Sequence, residues 1–249
     1  TTLTFNPTND FFPGETVFST LVSTIQDANG NSLSKGYVWS FAVQAAVGPG
    51  DFTAAFSTFG TGNDVTAGTA LGDVDGDGDL DLALANQGGQ SLVQLNSGTG
   101  RFDGGFRYYG GASDAKRKVE LVDVDGDGDL DVATAHRPGQ NVVNLNDGAG
   151  NFATNSNFGT GSDDTYSIAF GDLNGDGFAD VAVGNQAQQN VAYINNGSGV
   201  LTANSANFGT GSDATYSVRL ADVDNDGDLD VAVGNISAQN IVYFNNNAG

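Results

Sequence analysis

The sequence predicts an all-β protein made of β-propeller-type blades, with four repeats of about 50 residues visible. Three observations carry that reading. A nine-residue stretch, Asp73-Val-Asp-Gly-Asp-Gly-Asp-Leu-Asp81, returns from Asp123, Asp172 and Asp222, with starts separated by 50, 49 and 50 residues. Each copy runs into a short apolar stretch: Asp81-Leu-Ala-Leu-Ala-Asn86, Asp131-Val-Ala-Thr-Ala-His136, and Asp-Val-Ala-Val-Gly-Asn from Asp180 and from Asp230. The acids are 28 Asp against 2 Glu, and Asp suits tight loops where Glu suits helices. Internal repeats of this length point to propellers or solenoids, and four short antiparallel strands per unit describe a blade.

Within each nonapeptide, acidic or amide side chains fall at positions 1, 3, 5 and 9, with Gly at position 6. Oxygen ligands at every second residue converge on one point when the backbone curls, and the Gly permits the turn. Two carboxylates about 5 Å apart repel by roughly 3 kcal/mol at an effective dielectric near 20. Gathering several costs more than a turn returns, unless a divalent cation reverses the sign. The candidate ligands are Asp73, Asp75, Asp77, Asp79 and Asp81; Asp123, Asp125, Asp127, Asp129 and Asp131; Asp172, Asn174, Asp176, Phe178 and Asp180; and Asp222, Asp224, Asp226, Asp228 and Asp230. Position 7 tolerates Phe178, so it is assigned a backbone carbonyl, as at position 7 of calcium loops. An EF-hand is excluded. Its bidentate Glu at position 12 is replaced by Leu84, Thr134, Val183 and Val233, and strands follow instead of helices. Ca2+ is favoured over Mg2+ because the oxygen ligands are many. About four sites are expected, one per repeat, as structural staples in a chain with no Cys.

Composition narrows the function. The net charge is −22, and four dications would bring it to −14. Such acidity argues against nucleic acid and anionic membrane surfaces as partners. No run of 18 apolar residues is present, so membrane insertion is not expected. The chain has no initiator Met and no signal peptide, from which a processed chain or a fragment is expected.

In chain order, residues 1–47 differ from the rest. Thr2-Leu-Thr-Phe5, Thr16-Val-Phe-Ser-Thr-Leu-Val-Ser-Thr-Ile25 and Tyr37-Val-Trp-Ser-Phe-Ala-Val43 read as strands, with turns at Asn6–Asp10, Pro13-Gly14 and Asp27–Asn31. Trp39 is expected in a core. Residues 44–50 form a linker, and 48–249 holds the repeats, cut as 51–100, 101–150, 151–199 and 200–249. An aromatic-Gly pair (Phe59-Gly60, Tyr109-Gly110, Phe158-Gly159, Phe208-Gly209) lies 14 residues before each nonapeptide. A last strand closes each unit: Leu92–Asn96, Val142–Asn146, Val191–Asn195 and Ile241–Asn245.

Two resemblances rest on these residues. Aromatic-Gly, an apolar strand, Asp-x-Asp-x-Asp-Gly-x-x-Asp and Val-Ala resemble the FG-GAP/VCBS repeat of integrin-type β-propellers, over residues 51–249. The resemblance implies calcium at each blade's loop, carried by Asp73, Asp75, Asp77, Asp81 and their repeat equivalents. Such propellers usually close with about seven blades, and four are visible here. Residues 51–58 could complete the last blade and close a four-bladed ring; a larger truncated ring and an open array are the alternatives. Phe5-Asn-Pro, Phe12-Pro-Gly-Glu-Thr16, Asp27–Leu33 and Trp39-Ser-Phe41 resemble the C-terminal half of a bacterial Ig-like domain, a partial β-sandwich segment.

No catalytic constellation accompanies the metal loops, so no enzyme is expected. There is no Gly-x-Ser-x-Gly elbow and no thiol, and His136 is expected at the surface. Six of the eight basic residues lie in 101–150, and Lys116-Arg-Lys118 is read as a charge-balancing surface patch, with docking of an acidic partner as the sharper alternative. The resulting reading is an extracellular or cell-surface (secreted) calcium-binding module for adhesion or surface architecture. Its expected partners are a protein or glycan at the cell surface, with self-association as a further one. The alternatives are a self-assembling filament or surface-layer subunit whose Ig-like segment a neighbour completes, and a propeller scaffold of a polysaccharide-active enzyme.

Overall fold

The computed structural model describes residues 16–21, 37–42, 58–60, 62, 64–111, 115–202 and 207–246. The chain divides into two compact units, Thr1–Phe56 with Gly175–Gly177, and Ser57–Asn174 with Phe178–Gly249, the second of which holds the repeats. In the first, β1 (Thr16–Leu21) and β2 (Tyr37–Ala42) pair antiparallel, with Thr16 opposite Ala42 and Leu21 opposite Tyr37. Both lie inside stretches whose β-branched and aromatic residues predict strands. The rest of the Ig-like segment, the Trp39 side chain and residues 51–57 lie outside the described residues.

The repeat unit is all-β. Sheet 1 contains β3 (Thr66–Gly72), β4 (Asp81–Asn86), β5 (Ser91–Gln94) and β6 (Phe106–Tyr109) in sequential antiparallel order. Sheet 2 repeats the meander with β7 (Lys116–Val122), β8 (Asp131–His136), β9 (Asn141–Leu145) and β10 (Thr154–Phe158). Sheet 3 has β11 (Thr165–Gly171), β12 (Asp180–Asn185) and β13 (Asn190–Asn195), with β14 (Leu201–Thr202) and β15 (Asn207–Phe208) both pairing with β13. Sheet 4 is described by β16 (Ala214–Ala221), β17 (Asp230–Ile236) and β18 (Ile241–Tyr243). These are propeller-like blades, and their first strands lie side by side: β3 on β7, β7 on β11, β11 on β16.

A blade is not one of the segments cut at 100, 150 and 199. The outermost strand of each sheet comes after that cut, and the aromatic-Gly pair ends it: Tyr109 closes β6, Phe158 closes β10 and Phe208 closes β15. A repeat fixes the period of a sequence, whereas strand pairing fixes where one unit stops.

The core lies between sheets, and the second strand of each blade explains why. Its residues alternate large and small: Leu82-Ala83-Leu84-Ala85, Val132-Ala133-Thr134-Ala135, Val181-Ala182-Val183-Gly184. The small face of one sheet packs on the large face of the next, as Ala83 and Ala85 on Val119 and Val132, Ala133 and Ala135 on Ile168, Val181 and Val183. Ala182 continues the pattern with Val218, Val231 and Val233. At Gly184 the approach is close enough to exclude a side chain, since a Cβ there would come within 2.8 Å of Thr215 and 2.9 Å of Val218. Fully burying a Val contributes roughly 1.5–3 kcal/mol, so the cohesion of the unit resides in these inter-sheet layers.

Each first strand carries a β-bulge, with Ala67, Arg117, Tyr166 and Tyr216 as the extra residues. Just before the bulge, Thr66, Thr165 and Thr215 donate their hydroxyls to Asn86, Asn185 and Asn235 across the strand pair at 2.8–2.9 Å. Sheet 2 departs from the pattern with Lys116 opposite His136, and two expectations fail there. His136 is 6% exposed, not a surface residue, because strand β8 is covered on both faces; its Nε2 lies 3.0 Å from Thr134 Oγ1. Lys116 is fully buried, not part of a surface patch, and its ammonium donates to Gly111 O at 2.7 Å. Nearby, Lys118 pairs with Glu120 at 2.8 Å, and Arg137 pairs with Asp164 at 2.6 Å while covering the Tyr166 ring.

Candidate metal centre

The acidic nonapeptides join the first strand of each blade to the second. Their curl is built by the acids themselves. Asp73 accepts from Gly76 N (2.9 Å) and Gly78 N (3.0 Å), and Asp77 accepts from Asp79 N (2.9 Å). The second loop repeats all three bonds from Asp123 and Asp127. In the fourth, Asp222 accepts from Asp226 N and Gly227 N. Position 4 requires a left-handed backbone. It is Gly76, Gly126 and Gly175 at φ of 74°, 78° and 79°, and Asn225 at 63° in the fourth copy. Asn is among the few non-Gly residues that adopt this region readily.

The curl brings carboxylates together. Ligand atoms of Asp73, Asp75 and Asp81, of Asp123, Asp125 and Asp127, and of Asp222, Asp224 and Asp230 lie within 4.8 Å of one another in each set. Positions 1 and 3 are common to all three, and positions 5 and 9 alternate as the third member. The third loop has Asn174 at position 3 and so retains three acids, Asp172, Asp176 and Asp180. Asp79 and Asp129 stand outside these sets. Their carboxylates pack on Gly98 and Gly148, and Phe178 packs on Gly197 in the same way. Position 7 therefore presents only its main chain to the loop, which is why Phe is accommodated.

Position 9 has a second task. Asp81, Asp131, Asp180 and Asp230 are fully buried. In each, Oδ2 accepts the N–H of loop position 2 at 2.8–3.0 Å. Oδ1 accepts the N–H of Asn96, Asn146, Asn195 or Asn245 at 2.7–2.8 Å. This carboxylate ties the loop to the third strand whether or not a cation is near.

The electrostatics suit a cation. Burial, ahead of repulsion from Asp77 and Asp73, holds the Asp75 carboxyl above the usual carboxylate range, and burial with Asp127 and Asp123 does the same at Asp125. Burial raises Asp81, and pushes Asp131 up to about 6. Asp75 Oδ1 and Asp125 Oδ1 are buried without a hydrogen-bond partner. A buried acceptor left unmatched costs about 1–3 kcal/mol, more when charged, and a hard cation is the partner such oxygens fit.

A family model described as FG-GAP-like repeat matches residues 73–134, 123–183 and 173–233, together well over half of the chain. The chain belongs to this family. Each match begins at or next to one acidic loop and ends in the second strand of the next blade, so FG-GAP-like repeats are counted here from loop to loop. No curated protein matches the chain. Among solved structures it is similar to the crystal structure of BBS1N in complex with ARL6DN, soaked with lead, at 12% identity and a TM-score of 0.45. That likeness covers 91% of this chain, which spans 65% of that neighbour's length.

One residue of the FG-GAP-like repeats escapes a reading centred on acids. Asn195 ends the third strand of sheet 3, and Asn146 and Asn245 follow shortly after the third strands of sheets 2 and 4. Their Nδ2 groups donate at 2.7 Å to Val74 O, Val124 O and Leu173 O, position 2 of the loop in the preceding blade. Each also donates to position 8 of its own loop at 3.0–3.2 Å. The glycines that follow complete the contact, since Gly150 lies against Asp75 and Gly199 against Asp125. A fixed spacing was the available signal: each Asn follows position 9 of its own loop by 15 residues.

Proposed function

We propose that the acidic loops bind Ca2+ as a structural ion, about one per repeat, and that this chain is a non-catalytic extracellular module for adhesion or surface architecture. The observation that supports it is the pairing of three carboxylate clusters with the orphaned Asp75 and Asp125 oxygens. Three carboxylates within 4.8 Å of one another form three pairs, each worth roughly 3.5 kcal/mol of repulsion at an effective dielectric near 20. A bound dication turns that into attraction. Positions 1, 3, 5 and 9 would supply carboxylate or amide oxygens and position 7 its carbonyl.

In this reading residues 1–47 are part of an Ig-like segment and 48–249 the calcium-binding repeats. The partner is a protein or a glycan at a cell surface, where affinities of about 10⁻⁴–10⁻³ M suffice because calcium is plentiful outside cells. Nucleic acid is disfavoured by the net charge of −22.

Calorimetric titration of metal-free protein tests the reading. Each site at ten times its Kd contributes about 1.4 kcal/mol to the folded state, so four contribute about 6 kcal/mol. Calcium should therefore raise the melting temperature markedly and EDTA reverse it, with magnesium much weaker. A melt indifferent to millimolar calcium would end the proposal.

A further inference from the structure

Between the outer parts of sheets 1 and 2 lies a slot of about 330 Å³. Its origin is a set of polar side chains in one blade. The position that pairs with Val181 and Val231 on the third strands is Tyr193 and Tyr243, which pack on Phe158 and Phe208 with ring centroids 6.1 and 5.7 Å apart. In sheet 2 the same register position, opposite Val132, is Asn144. On the second strand, Leu84, Val183 and Val233 become Thr134, and Asn86, Asn185 and Asn235 become His136. The exchanges place a hydroxyl, an imidazole and an amide on the face turned to sheet 1, and all three meet at the slot.

The slot is lined by Thr134, His136, Asn144, Phe152, Asn155 and Asn157. Thr134 is fully buried and Asn144 is 2% exposed, so these are polar groups at an interior position. They are held in place. Thr134 Oγ1 donates to Val142 O at 3.2 Å, His136 Nε2 lies 3.0 Å from that hydroxyl, and Asn144 Nδ2 donates to Val132 O at 3.2 Å. The opposite wall, Gly110-Gly111, is fastened by the buried Lys116 ammonium on Gly111 O. Phe152 stands edge-on to Tyr109, with ring centroids 6.0 Å apart, and supplies an apolar surface.

We infer that this slot binds a neutral sugar residue. Amide, hydroxyl and imidazole groups both donate and accept, which matches hydroxyls that do the same. Among the described residues no acid, Lys or Arg lines the slot, which disfavours a charged ligand. The volume is near the lower end of ligand sites, roughly 300–1,000 Å³, and admits one ring. The inference deepens the glycan part of the proposed function and does not require calcium at the loops.

The test is titration of the calcium-loaded full chain, ¹⁵N-labelled, with the methyl glycosides of glucose, galactose and mannose, with N-acetylglucosamine, and with glucuronate as the charged comparison. At least one neutral sugar should shift the Asn144 and Asn155 side-chain amides saturably, with a Kd of roughly 1 mM or below, and glucuronate should bind at least tenfold more weakly. Asn144→Tyr restores the side chain that sheets 3 and 4 carry, and should abolish the shifts while keeping the fold. Asn155→Leu, at an exposed position, should weaken binding at least fivefold and guards against a folding defect in the first variant. No saturable shift with any neutral sugar, equal binding by Asn144→Tyr, or tighter binding of glucuronate overturns the inference. Calcium stoichiometry measured on the same samples separates the two readings: calcium binding without sugar binding removes only the slot, and sugar binding without calcium binding removes only the metal proposal.

Discussion

Replacing Asn195 by Ala should loosen the junction of sheets 2 and 3 far more than its size implies. Its amide donates to Val124 O at 2.7 Å and Ala179 O at 3.0 Å, and its oxygen accepts from Gly197 N at 3.0 Å. Asn195 is 2% exposed and Val124 1%, so water cannot easily replace the lost partners. Three neutral hydrogen bonds contribute about 1 kcal/mol each, and an orphaned buried carbonyl adds about 1–3 kcal/mol, for a loss of roughly 4–6 kcal/mol. For a unit of this length that lowers the melting temperature by roughly 8–24 °C. Asn96→Ala is the control. Asn96 donates only within its own blade, to Leu80 O at 3.2 Å, and accepts from Gly98 N at 3.2 Å, so its loss should be roughly 1–2 kcal/mol. Urea unfolding of both variants with EDTA present reads the difference. Equal losses, or less than about 1 kcal/mol for Asn195→Ala, would refute the assignment of stability to the bond between blades.

Other outcomes follow from the loops. Asp131→Ala removes the acceptor for Val124 N and Asn146 N, and should cost roughly 3–5 kcal/mol in urea even without calcium. Asp127→Ala removes the acceptor for Asp129 N at an exposed site and should cost less than about 1 kcal/mol until calcium is added. In metal-free protein Asp131 titrates near 6, and Asp75 and Asp125 are also raised above the unfolded value. For Asp131 that contribution to stability is present below about pH 4 and lost as pH rises through about 6, and Asp75 and Asp125 act in the same direction, so the EDTA melt should fall over that window and calcium should flatten it; a rise would contradict it. Gly148→Ala combines a φ of 80° with a Cβ 2.5 Å from the Asp129 carboxylate, whereas Gly78→Ala at φ of 94° meets nothing within 4 Å. Chemical denaturation should show about 1–2 kcal/mol lost at Gly78 and more at Gly148.

The parts legible in the sequence were those that chemistry forces to repeat in kind. Acids at alternate positions and a strand after each loop follow from composition and spacing alone. Position 7 was assigned its main chain because it holds Phe178 in one loop and Asp79 in another, and in the fold both side chains pack on a glycine, Gly197 and Gly98. The blade boundary was hidden because a period has no phase; only pairing shows that Phe106–Tyr109 belongs to the sheet before it. His136 and Lys116 were misplaced because polarity predicts exposure, and exposure depends here on a neighbouring sheet that covers both. The Asn residues were read as strand ends, since one amide carries no mark of the carbonyl it meets 71 or 72 residues away.

That separation gives the molecule a direction in time. At a synthesis rate of about 5–20 residues per second, each newly made loop waits roughly 4–14 s for the amide that will latch it. The latches can close only in the order in which they are made, so the oldest repeats mature while the youngest remain ajar. Asp222–Asp230 meets no later amide among the described residues, and its Asp222 and Asp224 are open to solvent where Asp73, Asp75, Asp123 and Asp125 are half-covered.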